Sequence, residues 1–228
     1  MRLSLILPVH NQEAAIAGNN FDRIFEYIRS MRLDCEVIVV ENGSTDDSVK
    51  MLRALRKRYR FRLIISKRSG RGLALRLGVA SAHGDIIGYM DTDLAVPPKY
   101  LARMMREFER GYDLVIGNRY VKGAKSKRNV LRYIESKIYI CAIRALYSSR
   151  ITDFQCGFKF FRSDLIRRSI GKVNDDRWFF DTEILILAER SGARICQMPV
   201  SFFDTKGSTV KLSDSIYFIG QIIKNRNF

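Results

Sequence analysis

The sequence predicts an α/β domain built on a mainly parallel sheet with helices on both faces. Three observations carry this. Apolar runs and amphipathic segments alternate four times through the first 118 residues, the pattern of βαβ units. The links between them are short, as right-handed crossovers allow. The composition, 46% hydrophobic with only 4 Pro and 15 Gly in 228 residues, fills a core and excludes a disordered or fibrous chain.

The elements follow in order. Leu3 to Pro8 is an apolar run ending in a breaker, the first strand. Over 14–31, Ile16, Phe21, Ile24, Phe25 and Ile28 recur at helical spacing. Glu36 to Val40 is rich in β-branched residues and predicts the second strand. Ser44, Thr45 or Asp46 then caps a helix running to about Arg58. Arg62 to Ser66 is the third strand, Gly70 to Ala82 a helix and Asp85 to Met90 the fourth strand. Pro97 and Pro98 open the next helix, since Pro is tolerated in a first turn. Asp113 to Gly117 is the fifth strand.

The second half loses this rhythm. Residues 119–150 predict a basic amphipathic helix in which Leu131, Ile134, Ile138, Cys141 and Leu146 recur. Residues 158–161 read as a strand, and Ser163 as the cap of a short helix. Phe180 to Arg190 is apolar on most sides and predicts a buried helix. Arg194 to Phe203 is a strand pair broken at Pro199, and 213–224 a short apolar helix.

Charge is the compositional outlier. Forty Lys and Arg against 24 Asp and Glu leave +16, which points to an anionic partner. The excess is uneven. Residues 1–114 carry 19 basic and 14 acidic side chains, and residues 115–228 carry 21 and 10. Nine basic residues and one acid, Glu135, fall in 119–150. Such a helix lies on an anionic membrane surface, or its apolar stripe packs on the core or a second subunit. No run reaches 18 apolar residues, so no span is expected. Cys35, Cys141, Cys156 and Cys196 form no CxxC pair; Cys35 and Cys196 read as small buried hydrophobes.

Parallel sheets bind ligands beyond the carboxyl ends of their strands, so the residues just after each strand are the candidates. Asp91-Thr92-Asp93 follows the fourth strand. Two carboxylates one residue apart suit a hard divalent cation on a diphosphate; alternatively one caps the following helix. Glu41 and Asn42 follow the second strand and can face a ligand while Ser44 to Asp46 cap. Gly70-Arg71-Gly72 is neither a Walker loop nor a dinucleotide fingerprint. It lets Arg71 and nearby backbone approach phosphate, or simply starts a helix.

Taken in order, Pro8-Val-His10-Asn-Gln-Glu13, Glu41-Asn-Gly-Ser-Thr-Asp46, Gly70-Arg-Gly72 and Asp91-Thr-Asp93 resemble the signatures of glycosyltransferase family 2. That resemblance implies the GT-A (Rossmann-like) fold and inverting chemistry. In the second half, Asp153-Phe-Gln-Cys-Gly-Phe-Lys159, Arg177-Trp-Phe-Phe-Asp-Thr-Glu183 and Pro199-Val200 ending in Lys206-Gly-Ser208 are similar to dolichyl-phosphate glucosyltransferases. Gly117-Asn-Arg-Tyr120 is similar to a motif shared with dolichyl-phosphate mannose synthases.

The resemblance implies a single glycosyltransferase domain over 1–228, with a nucleotide-sugar-binding half (1–118) and an acceptor half (119–228). Donor binding falls to Pro8, His10, Gln12, Glu13, Glu41, Asn42, Arg71, Asp91 and Thr92, and Mg²⁺ or Mn²⁺ to Asp91 and Asp93. Arg119, Arg128 and Arg132 match the acceptor-phosphate side. His10, Gln12, Glu41 and Asn42 depart from the usual family residues, which leaves UDP-glucose and GDP-mannose both open as donors. Ala95 stands where mannose synthases often carry a further ligand, so water would complete the metal shell.

The implied activity is metal-dependent transfer of a hexose to a polyprenyl (dolichyl) phosphate. It would take place at the cytoplasmic face of a membrane, held peripherally through residues 119–150, with no nucleic-acid partner. Asp91 and Asp93 would be catalytic through the metal. Asp181 joins them as the base if the acceptor is instead a sugar hydroxyl. A non-catalytic protein binding anionic surfaces is the other alternative, argued against by the intact Asp91 and Asp93 pair.

Overall fold

The computed structural model describes residues 1–127 and 129–203, with the side chain of Lys127 left aside. Arg128, Lys206-Gly-Ser208 and the helix expected over 213–224 lie outside the described residues.

Strands β1 (Leu3–Val9), β2 (Cys35–Asn42), β3 (Arg62–Ser66) and β4 (Ile86–Met90) pair in parallel, with β1 between β2 and β4. Helices α1 (Glu13–Ala17) with α2 (Asn20–Ser30), then α3 (Ser48–Leu55) and α4 (Arg71–Ser81), make the three crossovers. Beyond β4 the sheet continues through β7 (Phe158–Arg162), β5 (Leu114–Asn118) and β8 (Ile195–Pro199), in the order β3-β2-β1-β4-β7-β5-β8. β7 runs antiparallel to both neighbours, and β5 and β8 are parallel. A two-stranded parallel ribbon joins β6 (Lys125–Lys127) to β9 (Ser201–Phe203).

One face of the sheet is covered by α2 (Asn20–Ser30), α3 and α5 (Tyr100–Glu109), which bury Phe21, Ile24, Leu52, Leu101 and Phe108. The other face carries α4, α6 (Val130–Tyr147), α7 (Ser163–Ile170) and α8 (Phe180–Arg190), with Leu75, Ile143, Leu165 and Ile184 in the core.

Several expectations are refined. The helix expected over 14–31 is two, α1 (Glu13–Ala17) and α2, parted at Asn19, whose φ of 60° cannot continue a helix. Of the three cap candidates before α3, Asp46 takes the Ser48 amide at 3.0 Å. Ser163 does not cap α7 but is its first residue, after Arg162. Pro97 and Pro98 form the turn just before α5. Cys35 and Cys196 are only half-buried; Cys156 is the enclosed thiol, and all four are free. Burial pushes the Cys156 thiol up to about 12, leaving it inert.

Candidate active site

The loops after β1 and β2 are fastened to each other. The amides of Asn11, Gln12 and Glu13 donate to Ser44 Oγ, Ser48 Oγ and Asp46 Oδ2 at 3.0, 2.9 and 3.1 Å, and Asn11 Oδ1 accepts the Thr45 amide at 2.8 Å. Gln12 and Glu13 are therefore bound into this seam through their backbones, whatever their side chains meet.

Glu41 and Asn42 are the last two residues of β2, both buried. Glu41 Oε1 accepts the Ser44 amide at 2.5 Å. Asn42 donates through Nδ2 to the Val9 carbonyl at 2.8 Å and accepts the Gly70 amide on Oδ1 at 3.1 Å. Through these bonds both tie neighbouring loops together. Half-buried His10 lies with Nδ1 2.9 Å from the Asn42 carbonyl. A carbonyl only accepts, so Nδ1 carries the proton and Nε2 is the ring's acceptor when neutral. Pro8 is half-buried in β1, opposite Val40.

At the end of β4 stand Asp91 and Asp93, both partly exposed around buried Thr92. Thr92 accepts Asn20 Nδ2 on its carbonyl at 2.9 Å, and Asp93 Oδ1 accepts the Ala95 amide at 3.0 Å. The Asp91 amide donates to the Gly157 carbonyl at 3.0 Å. A Cβ at Gly157 would lie 1.8 Å from Asp91 Oδ2, so only glycine leaves room for this carboxylate.

Arg71, first in α4, reaches both acids of the centre. Its NH1 is 2.7 Å from Asp91 Oδ1 and its Nε 2.8 Å from Asp181 Oδ2, with the guanidinium 5.6 and 5.7 Å from the Tyr89 and Trp178 rings. The glycines beside it serve packing more than phosphate. The Gly72 and Leu73 amides already donate to the Arg177 and Asp176 carbonyls, and a Cβ at Gly72 would meet Asp175 O at 2.8 Å. The start of α4 thus offers the Arg71 side chain to the site, with the next two amides engaged.

Asp181, second in α8, is buried. Its Oδ1 accepts Lys159 Nζ at 2.5 Å and Tyr89 Oη at 2.6 Å, and its Oδ2 accepts Arg71. Burial alone would raise this carboxyl, but Lys159 and then Arg71 outweigh that and hold it at about 2. A carboxylate so stabilised, with donors on both oxygens, is a poor proton acceptor and a strong anchor. Sequence reasoning passed over Tyr89 and gave no role to Gly157, Lys159 and Trp178, though all three lie in motifs it singled out. Lys159 did leave a signal: a lone cation among Phe158, Phe160 and Phe161 in a short strand, where a buried charge requires a partner.

Arg119, expected on the acceptor side, is buried against Asp153. Its backbone N and Nε meet Oδ2 at 3.0 and 2.8 Å and NH2 meets Oδ1 at 2.7 Å, with Phe202 4.9 Å below the guanidinium. Its first job is structural. Arg132 is half-buried in the first turn of α6.

Among the described residues, no group of three His, Cys, Asp or Glu is placed to hold a metal. Two carboxylates at one strand end, one of them seated against Gly157, nevertheless fit a hard cation that keeps water and binds substrate phosphate.

A family model described as "Glycosyl transferase family 2" matches residues 4–170. The chain is 34% identical over 214 residues to "Glycosyltransferase AglD" of Haloferax volcanii, covering 92% of this chain and 34% of that protein. It is 28% identical to "Dolichyl-phosphate beta-glucosyltransferase ALG5A" of Trichomonas vaginalis, covering 97% and 72%. To the "Dolichyl-phosphate beta-glucosyltransferase" of Dictyostelium discoideum it is 27% identical, covering 98% and 73%. The chain thus spans about a third of the first relative and nearly three quarters of the other two.

Among solved structures, glucosyl-3-phosphoglycerate synthase from Mycobacterium tuberculosis, in complex with Mn²⁺, UDP-Glc and glycerol 3-phosphate, superposes with a TM-score of 0.70 at 18% identity, covering 100% of this chain and 80% of that one. The mannosyltransferase PcManGT from Pyrobaculum calidifontis, in complex with GDP-Man and Mn²⁺, gives 0.61 at 21%, covering 91% and 58%. These share the fold, which is GT-A.

Proposed function

Because the chain belongs to glycosyl transferase family 2, we propose that it transfers a hexose from a nucleoside diphosphate sugar to a polyprenyl (dolichyl) phosphate. Residues 1–118 supply the strand-end loops of the donor side; those after 118 supply the acceptor side and brace the donor centre through Gly157 and Asp181. The observation that carries the choice of acceptor is the state of Asp181. A sugar hydroxyl needs a base to take its proton, and Asp181 is held at about 2 with donors on both oxygens. A lipid phosphate arrives already ionised and needs none. Its oxygen attacks the anomeric carbon, the bond to the β-phosphate oxygen breaks, and that electron pair leaves on the diphosphate. The names of the dolichyl-phosphate relatives support the same acceptor.

Mg²⁺ or Mn²⁺ held by Asp91 and Asp93 would offset the charge growing on the leaving diphosphate. The chain's own residues do the rest. The seam between the β1 and β2 loops presents Pro8 and His10 to the nucleoside. Gly157 leaves Asp91 room to stay aimed, and Arg71 adds a cation beside it.

Contact with an anionic membrane falls to α6. Its core side buries Ile140, Ile143 and Tyr147, while Val130, Leu131, Ile134 and Ile138 stand 72, 66, 48 and 65% exposed. Among the described residues no helix is long and apolar enough to cross a membrane. An exposed apolar face with Lys137 and Arg144 on the same helix supports peripheral binding, which we place at the cytoplasmic face.

The test is a transfer assay read by mass spectrometry: full chain, Mn²⁺ or Mg²⁺ and a polyprenyl phosphate, with UDP-glucose in one tube and GDP-mannose in the other. A hexose-phosphate lipid in one tube, lost in Asp93→Ala, is the expected result. Donor hydrolysis without lipid product overturns the acceptor.

A further inference from the structure

The donor-side centre holds more cationic machinery than a metal and two carboxylates require. Arg71 bridges Asp91 and Asp181, two acids on different elements, with its Cζ 5.6 and 5.7 Å from the Tyr89 and Trp178 rings. Behind it, Lys159 is fully enclosed and donates only inward, to Asp181 and to the Cys156 carbonyl at 2.7 Å. We infer that Arg71 is a resident cation on Asp91 that is handed to the donor diphosphate when a divalent ion takes that carboxylate, and that Asp181 and Lys159 are positioning residues holding its pivot.

The inference rests on the metal-dependent reading above and deepens it. A divalent ion on Asp91 and the guanidinium 2.7 Å from Oδ1 compete for one carboxylate, and the second cation to arrive is repelled. The NH1 end is the one that yields. Nε stays on Asp181, which Lys159 and Tyr89 fix through its other oxygen. An arginine pivoting on Nε carries its remaining N–H donors to whatever anion is adjacent, and with metal bound that is the diphosphate. Before the donor arrives, the same contact keeps Asp91 neutralised and ordered. Metal and nucleotide should therefore bind in concert, each removing an obstacle to the other.

Trp178 is the only tryptophan in the chain, so its emission reports the guanidinium 5.7 Å away. Mn²⁺ binding to the full chain is followed by electron paramagnetic resonance, alone and with UDP or GDP, with Trp178 emission recorded in parallel. In the wild type, Mn²⁺ alone should bind weakly, nucleotide should tighten it by about tenfold or more, and Trp178 emission should change as both bind. Arg71→Met should bind Mn²⁺ alone about tenfold more tightly than wild type, with the nucleotide effect cut to about threefold. Arg71→Lys should return Mn²⁺ affinity toward wild type. A gain of metal affinity on losing an arginine is not what structural damage produces.

Arg71→Met binding Mn²⁺ alone no better than wild type, while the wild type still binds Mn²⁺ with nucleotide, overturns the handover and leaves the metal site standing. A wild type that binds no Mn²⁺ with either nucleotide overturns the metal site itself, and the handover with it. If Arg71→Met does not fold, Trp178 decides in the wild type: emission unchanged while resonance shows Mn²⁺ and nucleotide bound overturns the handover.

Discussion

Replacing Lys159 by Met tests the central claim about the buried network. Met matches the lysine stem in length and removes only the ammonium, which lies 2.5 Å from Asp181 Oδ1 and 2.7 Å from the Cys156 carbonyl in a side chain with no exposure. Breaking a buried ion pair costs about 3–5 kcal/mol, because the surviving charge stays buried without its partner. Arg71 still neutralises part of Asp181, so the lower end, about 3 kcal/mol, is expected. Native stability is only about 5–15 kcal/mol, so this is a large fraction. At about 2–4 °C per kcal/mol for a chain of this size, the melting temperature should fall by roughly 6–12 °C. Urea unfolding at neutral pH, followed by far-ultraviolet circular dichroism, measures the change. The cycle with Asp181→Asn isolates the pair: the double variant should be more stable than the sum of the singles by about 2 kcal/mol. Lys159→Met within about 0.5 kcal/mol of wild type, or singles that simply add, would refute the reasoning.

Four more predictions follow from other contacts. Asp181 sits at about 2 when folded against 3.8 ordinarily, so its folded pKa is the lower one. Its contribution, about 2 kcal/mol, is present above roughly pH 4 and lost as pH falls toward 2; urea midpoints across that range should fall less steeply in Asp181→Asn than in wild type, since Asp153, Glu36 and Asp46, also held low, titrate in both. Gly157→Ala drives a methyl group onto Asp91 Oδ2, 1.8 Å away, so transfer should fall about a hundredfold, the cost of a misplacement near 1 Å, while circular dichroism stays native. Arg119→Lys cannot reproduce the bidentate grip on Asp153 and should lose about 2 kcal/mol of stability in thermal melts. Ile134→Asp with Ile138→Asp should abolish flotation with anionic vesicles without lowering the melting temperature, since both side chains are already exposed.

The local half of this molecule was readable in one dimension. The third strand falls on Arg62–Ser66 and the buried helix on Phe180–Arg190, as periodicity and β-branching indicate. Strand ends mark where a parallel sheet binds ligands, and that rule together with the Asp-x-Asp spacing singled out Asp91 and Asp93. Where the expectation blurred, the cause is also local. The break at Asn19 depends on one residue entering the left-handed region, which apolar spacing does not record.

Partner choice is a different matter. Glu41 and Asn42 carry the residue types of ligand contacts, yet the folded chain engages them with Ser44, Val9 and Gly70. Arg119 looks like an acceptor arginine and is paired with Asp153, 34 positions away. Arg71 and Asp181 are 110 positions apart; nothing in their neighbours links them.

The sequence by itself determined the alternation of strands and helices, the carboxylates at the end of β4, the surplus of positive charge and the family. These depend on patterns within a few residues, set by backbone sterics and by which side chains avoid water. Only the tertiary structure decided that β7 enters antiparallel between β4 and β5, carrying Lys159 beneath Asp181 and Gly157 against Asp91. That insertion brings distant charges within 3 Å inside a core. At that range, out of water, the identity of the partner and not of the residue determines whether a carboxylate takes a proton, holds a metal or anchors an arginine.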